Sequence, residues 1–323
     1  MDKPRVIVTR RWPQAVEQVL QRRFDVKLNE RDAPMSFAEL QQALREADAL
    51  CPTVTDGITA ELLDTADMRV RLLANFGVGF NHIDIAAARK RGISVTNTPD
   101  VLTDCTADLA MTLLLMVARR AGEGERELRA GRWQGWRPTH MTGAKVTGKT
   151  LGLVGFGRIA RAMARKAHFG FGMRILFHTR SPVHAEVRNA LGATPVANLD
   201  EMLAECDFVS LHCPGGAATR HLINGARLAA MGSRAFLINT ARGDVVDHDA
   251  LIAALRERRI AGAGLDVYPG EPQVPPALLG LDNVVLLPHL GSASDETRIA
   301  MGMRVIDNLQ DFFDGRVPQD RVV

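Results

Sequence analysis

The chain is short of the features that would place it in several large protein classes. Its four cysteines, Cys51, Cys105, Cys206 and Cys213, are scattered through 323 residues with no CxxC pair. That spacing offers neither a zinc site nor a disulfide framework, and it predicts reduced thiols in a cytoplasmic protein without a bound metal. Long hydrophobic runs are missing. The longest, Leu109 to Ala118, is interrupted by Thr112 and is too short to span a bilayer. The start of the chain, Met1 to Arg11, has no apolar core behind its charges, so no targeting segment is expected there. Charge of one sign is not in excess either. The formal net charge is +3 with both signs mixed along the sequence, which excludes a nucleic-acid-binding stripe and a polybasic membrane tail. Low-complexity linkers and internal repeats are also absent.

What remains is an ordinary globular composition, 46% hydrophobic and 24% charged, at a length that suits two domains. Strand-like and helix-like runs alternate almost throughout. Short strands are predicted at Val6 to Thr9, Val26 to Leu28, Ala49 to Cys51, Leu72 to Asn75 and Ser94 to Thr96. Helices are predicted between them at Gln14 to Arg23, Phe37 to Glu46, Ala60 to Asp64 and Ile83 to Arg91. The alternation predicts a parallel sheet with helices on both faces. It resumes beyond residue 150, with strands at Arg174 to Phe177, Phe208 to His212, Ala235 to Asn239, Gly262 to Asp266 and Val284 to Leu287. Intervening helices fit Val183 to Leu191, Asp200 to Ala204 and Asp249 to Arg258. Asp104 to Arg120 reads as a mostly buried helix bridging the two units. Glu296 to Phe313 reads as a helix that returns to the first unit and leaves it discontinuous.

The most informative stretch is Leu151-Gly-Leu-Val-Gly-Phe-Gly-Arg-Ile-Ala160. A buried strand, Thr150 to Val154, turns at Gly155 and Gly157 and runs into a helix from Arg158 to Ala167. In a dinucleotide-binding turn one glycine permits the sharp bend and the next lets the backbone approach a pyrophosphate. The helix N-terminus then offers unpaired N–H groups and the positive end of its dipole. Ala160 stands where the third glycine is usual and still permits close helix–strand packing. The same spacing also fits an ordinary strand–helix turn, or a Rossmann-like site for another nucleotide such as a methyl donor.

With these residues in view, the chain resembles the D-isomer-specific 2-hydroxyacid dehydrogenases, and among their branches the glyoxylate/hydroxypyruvate reductases. Five ordered motifs carry the resemblance: Phe76-Gly-Val-Gly-Phe-Asn-His-Ile-Asp84, Gly148 to Ala160, Asn239-Thr-Ala-Arg-Gly243, Gly264-Leu-Asp-Val-Tyr-Pro-Gly-Glu-Pro272 and Leu287-Pro-His-Leu-Gly-Ser292. The fold it implies is α/β, with two doubly wound parallel-sheet domains. A Rossmann coenzyme domain, 99–289, is inserted in a flavodoxin-like substrate-binding domain, 1–98 and 290–323, with an active-site cleft between them. It also implies a homodimer. Trp133 and Trp136 are candidates for the dimer interface, with plain core packing as the alternative.

Reducing a 2-oxo acid requires a cation near its carboxylate and carbonyl, a proton donor on the carbonyl oxygen, and a hydride. Arg242, in a turn after a predicted strand, is the candidate for the cation, because a guanidinium binds a carboxylate bidentately. His289, at the end of another strand, is the candidate acid and base. The resemblance pairs it with Glu271, and a nearby carboxylate favours the imidazolium form and keeps a proton available near neutrality. Their bland alternatives are a surface charge, a structural hydrogen-bonder and a solvated turn acid. The resemblance further implies substrate contacts from the Val78 and Gly79 N–H groups, with weaker support for Thr53 and Val54.

Cofactor choice is legible in another absence. NAD-specific Rossmann sites carry an acidic residue at the end of the second strand, bonding the ribose hydroxyls. Here His178 takes that position, and no carboxylate appears until Glu186. Arg180 is placed to meet a 2′-phosphate, with Thr179 and Ser181 as hydrogen-bond donors. NADPH is therefore expected to be preferred. If Arg180 instead caps a loop, NADH is used. The resemblance places Arg158 and Ile159 at the pyrophosphate, Cys213 and Pro214 beside the adenosine ribose, and Thr240, Ala241, Asp266 and Gly291 near the nicotinamide. Asp266 would accept a bond from the carboxamide. A nucleophilic role for Cys213 has no partner motif to support it. Competing readings are a 2-ketogluconate, D-lactate, phosphite or phosphoglycerate dehydrogenase, and a nucleotide-sensing corepressor of the same fold.

Overall fold

The computed structural model describes residues 3–323. Met1 and Asp2, the first two residues of the segment read for targeting signals, lie outside the described residues. The chain divides into two compact units. Unit 1 comprises the described residues up to Leu102 together with Ser292–Val323, and unit 2 comprises Thr103–Gly291.

Unit 1 contains β1 (Arg5–Val8), α1 (Gln14–Arg23), β2 (Asp25–Lys27), α2 (Phe37–Glu46), β3 (Ala49–Cys51), α3 (Ala60–Leu63), β4 (Leu72–Ala74), α4 (Ile85–Lys90) and β5 (Ser94–Thr96). The sheet is parallel in the order β2-β1-β3-β4-β5, the flavodoxin-like winding. The central strands are short runs of buried apolar residues because helices cover both faces. Ser36 starts α2 with a capping box completed by Glu39. The tail pairs with the outer edge of β5, where Val322 donates to the Val95 carbonyl at 2.7 Å and Val95 donates to that of Val323 at 3.0 Å.

Unit 2 contains α5 (Thr103–Ala118), α6 (Ala121–Arg129), β6 (Thr150–Val154), α7 (Arg158–Phe171), β7 (Arg174–His178), α8 (Ala185–Ala190), β8 (Ala193–Pro195), α9 (Leu199–Glu205) and β9 (Phe208–Leu211). It continues with α10 (Gly225–Met231), β10 (Phe236–Asn239), a 3-10 turn (Gly243–Val245), α11 (His248–Arg256), β11 (Gly262–Leu265), α12 (Pro276–Leu279) and β12 (Val284–Leu286). The seven-stranded parallel sheet has the order β12-β11-β10-β9-β6-β7-β8. The last helix, α13 (Asp295–Phe313), packs in unit 1 on α1 and β4. The fold is therefore α/β, a Rossmann sheet inserted in the chain of a flavodoxin-like one.

Strand order reverses between β6 and β9, so the connections leaving these neighbours run to opposite sides and open a crevice at their carboxyl ends. Because every pair is parallel, the turns after β6, β7, β9, β10, β11 and β12 all emerge on that one edge. The helix expected to bridge the units lies wholly in unit 2. It is apolar on most sides because it packs on α7 and across β10, β11 and β12, with Ala107, Ala110, Leu113, Leu114 and Val117 in the core.

Candidate active site

The glycine turn is built as its spacing predicts. Gly155 has φ +87°, and a Cβ there would lie 2.9 Å from the main chain of His212 and Cys213 on the neighbouring turn, so only glycine fits. Gly157 begins α7 with no side-chain cap, and a Cβ on it would meet nothing within 4 Å. The fourteen-residue helix therefore begins at Arg158 and Ile159 beside open space at Gly157, with no side-chain cap of its own. Thr240, after β10, has its hydroxyl buried without a hydrogen-bond partner. An uncapped helix start, an open cradle and an orphaned hydroxyl on one sheet edge fit a dinucleotide.

At the end of β7 the His178 ring is held by Nδ1, 3.1 Å from the Val196 carbonyl. Thr179 is half-buried, and Arg180 and Ser181 are exposed. Burial pushes the Cys213 thiol up to about 11, so it stays protonated and is a poor nucleophile. Pro214 beside it is exposed. Burial drives His212 down to about 4. It remains neutral, 2.9 Å from the Ser210 hydroxyl, and competes with no acid–base group.

Arg242 is presented by a turn that Asn239 folds. The Asn239 amide oxygen accepts the Ala241 N–H at 3.0 Å, and its Nδ2 donates to the Arg242 carbonyl at 2.9 Å. The guanidinium donates to the Ala241 carbonyl at 2.7 Å. Burial lowers its pKa from the ordinary value, against the opposing pull of Glu271 and Asp244. Gly243 lies so close to the next loop that a Cβ would fall 2.1 Å from the Tyr268 carbonyl carbon. The Arg242 turn therefore rests directly on the loop that carries Glu271.

Glu271 and His289 meet. One Glu271 oxygen accepts from His289 Nδ1 at 2.7 Å, and the other accepts the Tyr268 N–H at 2.9 Å. Burial pushes the Glu271 carboxyl upward, but the bond and charge of His289, the Tyr268 N–H and the Arg242 charge outweigh it and hold it below the usual range. With Nδ1 committed to the carboxylate, Nε2 is the ring nitrogen left to exchange a proton with a substrate.

His289 sits in the left-handed region, φ +55°, which a non-glycine residue occupies at some cost. Asp266 holds it there. Its carbonyl accepts the His289 N–H at 2.9 Å, and its carboxylate oxygens accept the N–H groups of Leu290 at 2.7 Å and Gly291 at 2.9 Å. The side chain, only 1% exposed, thus serves the His289 turn, and each of its oxygens keeps a second lone pair for the expected carboxamide contact. Gly291 spends its N–H on Asp266 and its carbonyl on the Thr106 hydroxyl.

Asp266 also gives the unit a pH signature. Burial raises its carboxyl to about 6, against the Leu290 N–H and the His289 charge. A folded-state pKa above the unfolded value means the folded chain binds the proton more tightly. The stabilisation is complete below about pH 4 and is lost as pH rises through about 6. Asp266→Asn should remove this slope while lowering stability at acidic pH, where the native carboxyl is neutral and well placed. Thermal melts between pH 4 and 7 check it, and an unchanged slope in the variant counts against it.

Unit 1 carries the remaining candidates. In the turn after β4, the Asn75 amide donates to the Gly77 carbonyl at 2.9 Å and to the Gly79 carbonyl at 3.1 Å, and Asn97 donates to the Val78 carbonyl at 2.8 Å. The carbonyls are tied down, and the N–H groups of Val78 and Gly79 have no partner among the described residues. Thr53 is less available, since Asp56 accepts both its N–H, at 2.7 Å, and its hydroxyl, at 3.1 Å. Val54 is exposed. Trp133 and Trp136 follow α6 and are 54% and 82% exposed in the single chain, which rules out core packing within it. Among the described residues no helix is long and apolar enough to cross a membrane, and no cluster of metal-ligating side chains occurs.

Sequence reasoning gave no role to two residues that shape this edge, Asn239 and Tyr268. Asn239 is signalled only by its place at the strand end, and Tyr268 by the break of an apolar run just after β11.

A Rossmann sheet with an imidazole–carboxylate pair on its ligand-binding edge fits the nicotinamide-dinucleotide-dependent oxidoreductases as a class, and the family match assigns it there. The family model described as D-isomer specific 2-hydroxyacid dehydrogenase, NAD binding domain, matches residues 111–291. The chain is 46% identical over 320 residues to the glyoxylate reductase of Thermococcus onnurineus (strain NA1), covering 98% of this chain and 95% of that one. Among solved structures, the NADPH-dependent glyoxylate/hydroxypyruvate reductase of Sinorhizobium meliloti, in complex with NADP and malonate, matches with a TM-score of 0.88 at 38% identity, covering 100% of this chain and 97% of that chain. The holo form of Rhodotorula graminis D-mandelate dehydrogenase matches with a TM-score of 0.87 at 31% identity, covering 100% and 98%. The chain belongs to the D-isomer-specific 2-hydroxyacid dehydrogenase family.

Proposed function

We propose that this protein reduces small 2-oxo acids, glyoxylate and hydroxypyruvate among them, to 2-hydroxy acids, with NADPH as the favoured cofactor. The observation that carries the reading is the 2.7 Å contact between His289 and Glu271 on the edge that also presents Arg242. Arg242 binds the substrate carboxylate and polarises the adjacent carbonyl. His289 gives its Nε2 proton to the carbonyl oxygen as negative charge develops there, and Glu271 stabilises the imidazolium before the transfer. In oxidation His289 takes the proton back. A bound nicotinamide supplies or accepts the hydride, and Gly155, Gly157, Arg158, Ile159, Thr240 and Ala241 are the residues that would hold the dinucleotide.

The names of similar proteins cover two different substrates, glyoxylate and mandelate, so the family alone leaves the side-chain preference open. Glyoxylate is favoured here because the glyoxylate reductase relative is 46% identical over nearly the whole chain. The preference for NADPH rests on the exposed Arg180 at the end of β7 and on the lack of a carboxylate between His178 and His184. An acid there would repel a 2′-phosphate, whereas a guanidinium pairs with it.

The test is a panel of small oxo acids with each cofactor, followed by absorbance of the reduced nicotinamide. NADPH should exceed NADH in kcat/KM by about tenfold or more, and Arg180→Ala should cut that advantage by raising KM for NADPH alone. A large NADH advantage in the native protein overturns the cofactor assignment. Absence of turnover with every oxo acid, alongside tight nucleotide binding, favours the corepressor-like reading instead.

A further inference from the structure

Tyr268 is the one tyrosine in the chain, and it is buried at the junction of the three loops that carry Arg242, Glu271 and His289. Its main chain is the surface on which Gly243 rests. Its N–H holds one Glu271 oxygen at 2.9 Å. Its phenol hydroxyl reaches the other way, 3.1 Å from the Leu265 carbonyl at the end of β11 and 2.9 Å from the Leu287 carbonyl just beyond β12. The Leu265 carbonyl also accepts the Leu287 N–H at 2.9 Å, as the sheet ladder requires. The Leu287 carbonyl has no other donor among the described residues. One residue thus grips the carboxylate of the acid–base pair through its backbone and the root of the histidine loop through its side chain.

Resting on the reading of Glu271 and His289 as a working pair, we propose that Tyr268 is a positioning residue that fixes the Glu271–His289 contact by tying the two loops together beyond the sheet. The physical reason lies in the Leu287 carbonyl. Leu287 is half-buried, and an acceptor shielded from water that loses its donor costs free energy until the chain moves or water reaches it. Leu287 is two residues before His289, so any such movement displaces the imidazole. The charges that face His289 are Glu271, Asp266 on the adjacent turn, and Arg242 beyond Glu271. Asp266 also ties the two turns, through the N–H groups of His289, Leu290 and Gly291, so the Tyr268 hydroxyl is a further tie between them, made on the turn that carries Glu271.

Tyr268→Phe keeps the ring and removes the hydroxyl. The expected result is a loss of about tenfold in kcat with little change in KM for the cofactor. An unchanged kcat overturns the proposal. So does a loss matched by weaker cofactor binding, which marks a merely structural role.

A second measurement needs no activity and keeps the test sharp should the variant fail to fold. Since the chain has one tyrosine, tyrosinate absorbance reports on Tyr268 alone. Burial, together with the Asp266 and Glu271 charges, pushes this phenol well above its ordinary value. Ionisation should therefore appear only as the native protein unfolds. A phenol that titrates near about 10 in the folded protein refutes the tie. If no oxo acid is turned over, the functional reading fails, while the tyrosine titration still tests the link between the loops.

Discussion

Replacing His289 with alanine should lower kcat for oxo-acid reduction by about a hundredfold to ten-thousandfold, the range a general acid contributes. Cofactor affinity should stay at the native level, because the glycine turn, the start of α7 and Thr240 are untouched. The substitution removes the one group whose free nitrogen, Nε2, can protonate a carbonyl oxygen while Nδ1 is held by Glu271 at 2.7 Å. On the proposed reading Arg242 would still polarise the carbonyl, and water would then have to supply the proton. The variant also frees Glu271 from the bond that helps hold its carboxyl low, so that carboxyl rises toward the ordinary range. Exogenous imidazole, small enough to enter the space left by the side chain, should restore part of the rate. Steady-state kinetics with direct titration of the nucleotide separates these effects. Turnover near the native level in His289→Ala removes the acid–base assignment altogether.

The same histidine shows what a sequence can and cannot reveal. Its candidacy was readable because a strand, a proline and a histidine stand together in Leu287-Pro-His289, and parallel sheets put ligands at strand ends. Much of the framework was readable on equally local grounds. Gln14–Arg23, Phe37–Glu46, Ala49–Cys51, Ser94–Thr96 and Thr150–Val154 form with the bounds that their apolar runs and caps predict. Elements without such marks were missed. The edge strand Ala193–Pro195 has one buried residue and ends in a proline, and α6, AGEGERELR, buries none of its residues. The helix Asp104 to Arg120 was read correctly as buried but placed between the units. Apolarity on all sides says that neighbours exist, not which ones.

In the site, motifs named Arg242, Glu271 and His289 as candidates, and the structure brings the last two into contact. They did not reveal that Asp266 spends its carboxylate on the Leu290 and Gly291 N–H groups, or that Tyr268 spans two loops. Those roles depend on where the turns after β11 and β12 lie side by side, which no single stretch of sequence encodes.

Arg242→Lys is the second change with a large expected effect, and it separates a positive charge from a guanidinium. The Arg242 stem is packed, since a Cβ on Gly215 would fall 2.8 Å from its Cγ, so a lysine stem follows the same path. The head group does not substitute. A guanidinium offers two parallel N–H donors to a carboxylate, whereas an ammonium offers a point charge that reaches one oxygen well. Burial adds a second penalty. The same surroundings that lower the Arg242 pKa act on a group that starts about two units lower, so lysine gives up its proton far more readily there. The expected loss in kcat/KM for the oxo acid is about a hundredfold near neutral pH, divided between a higher KM and a lower kcat, because the role proposed for the residue covers both binding and polarisation. The deficit should widen as pH rises and the lysine loses its charge, while KM for the cofactor stays level. Kinetics across pH 6 to 9 would show the trend. A lysine variant within about twofold of the native enzyme at every pH would mean that charge alone suffices at this position, and the bidentate carboxylate contact would have to be abandoned.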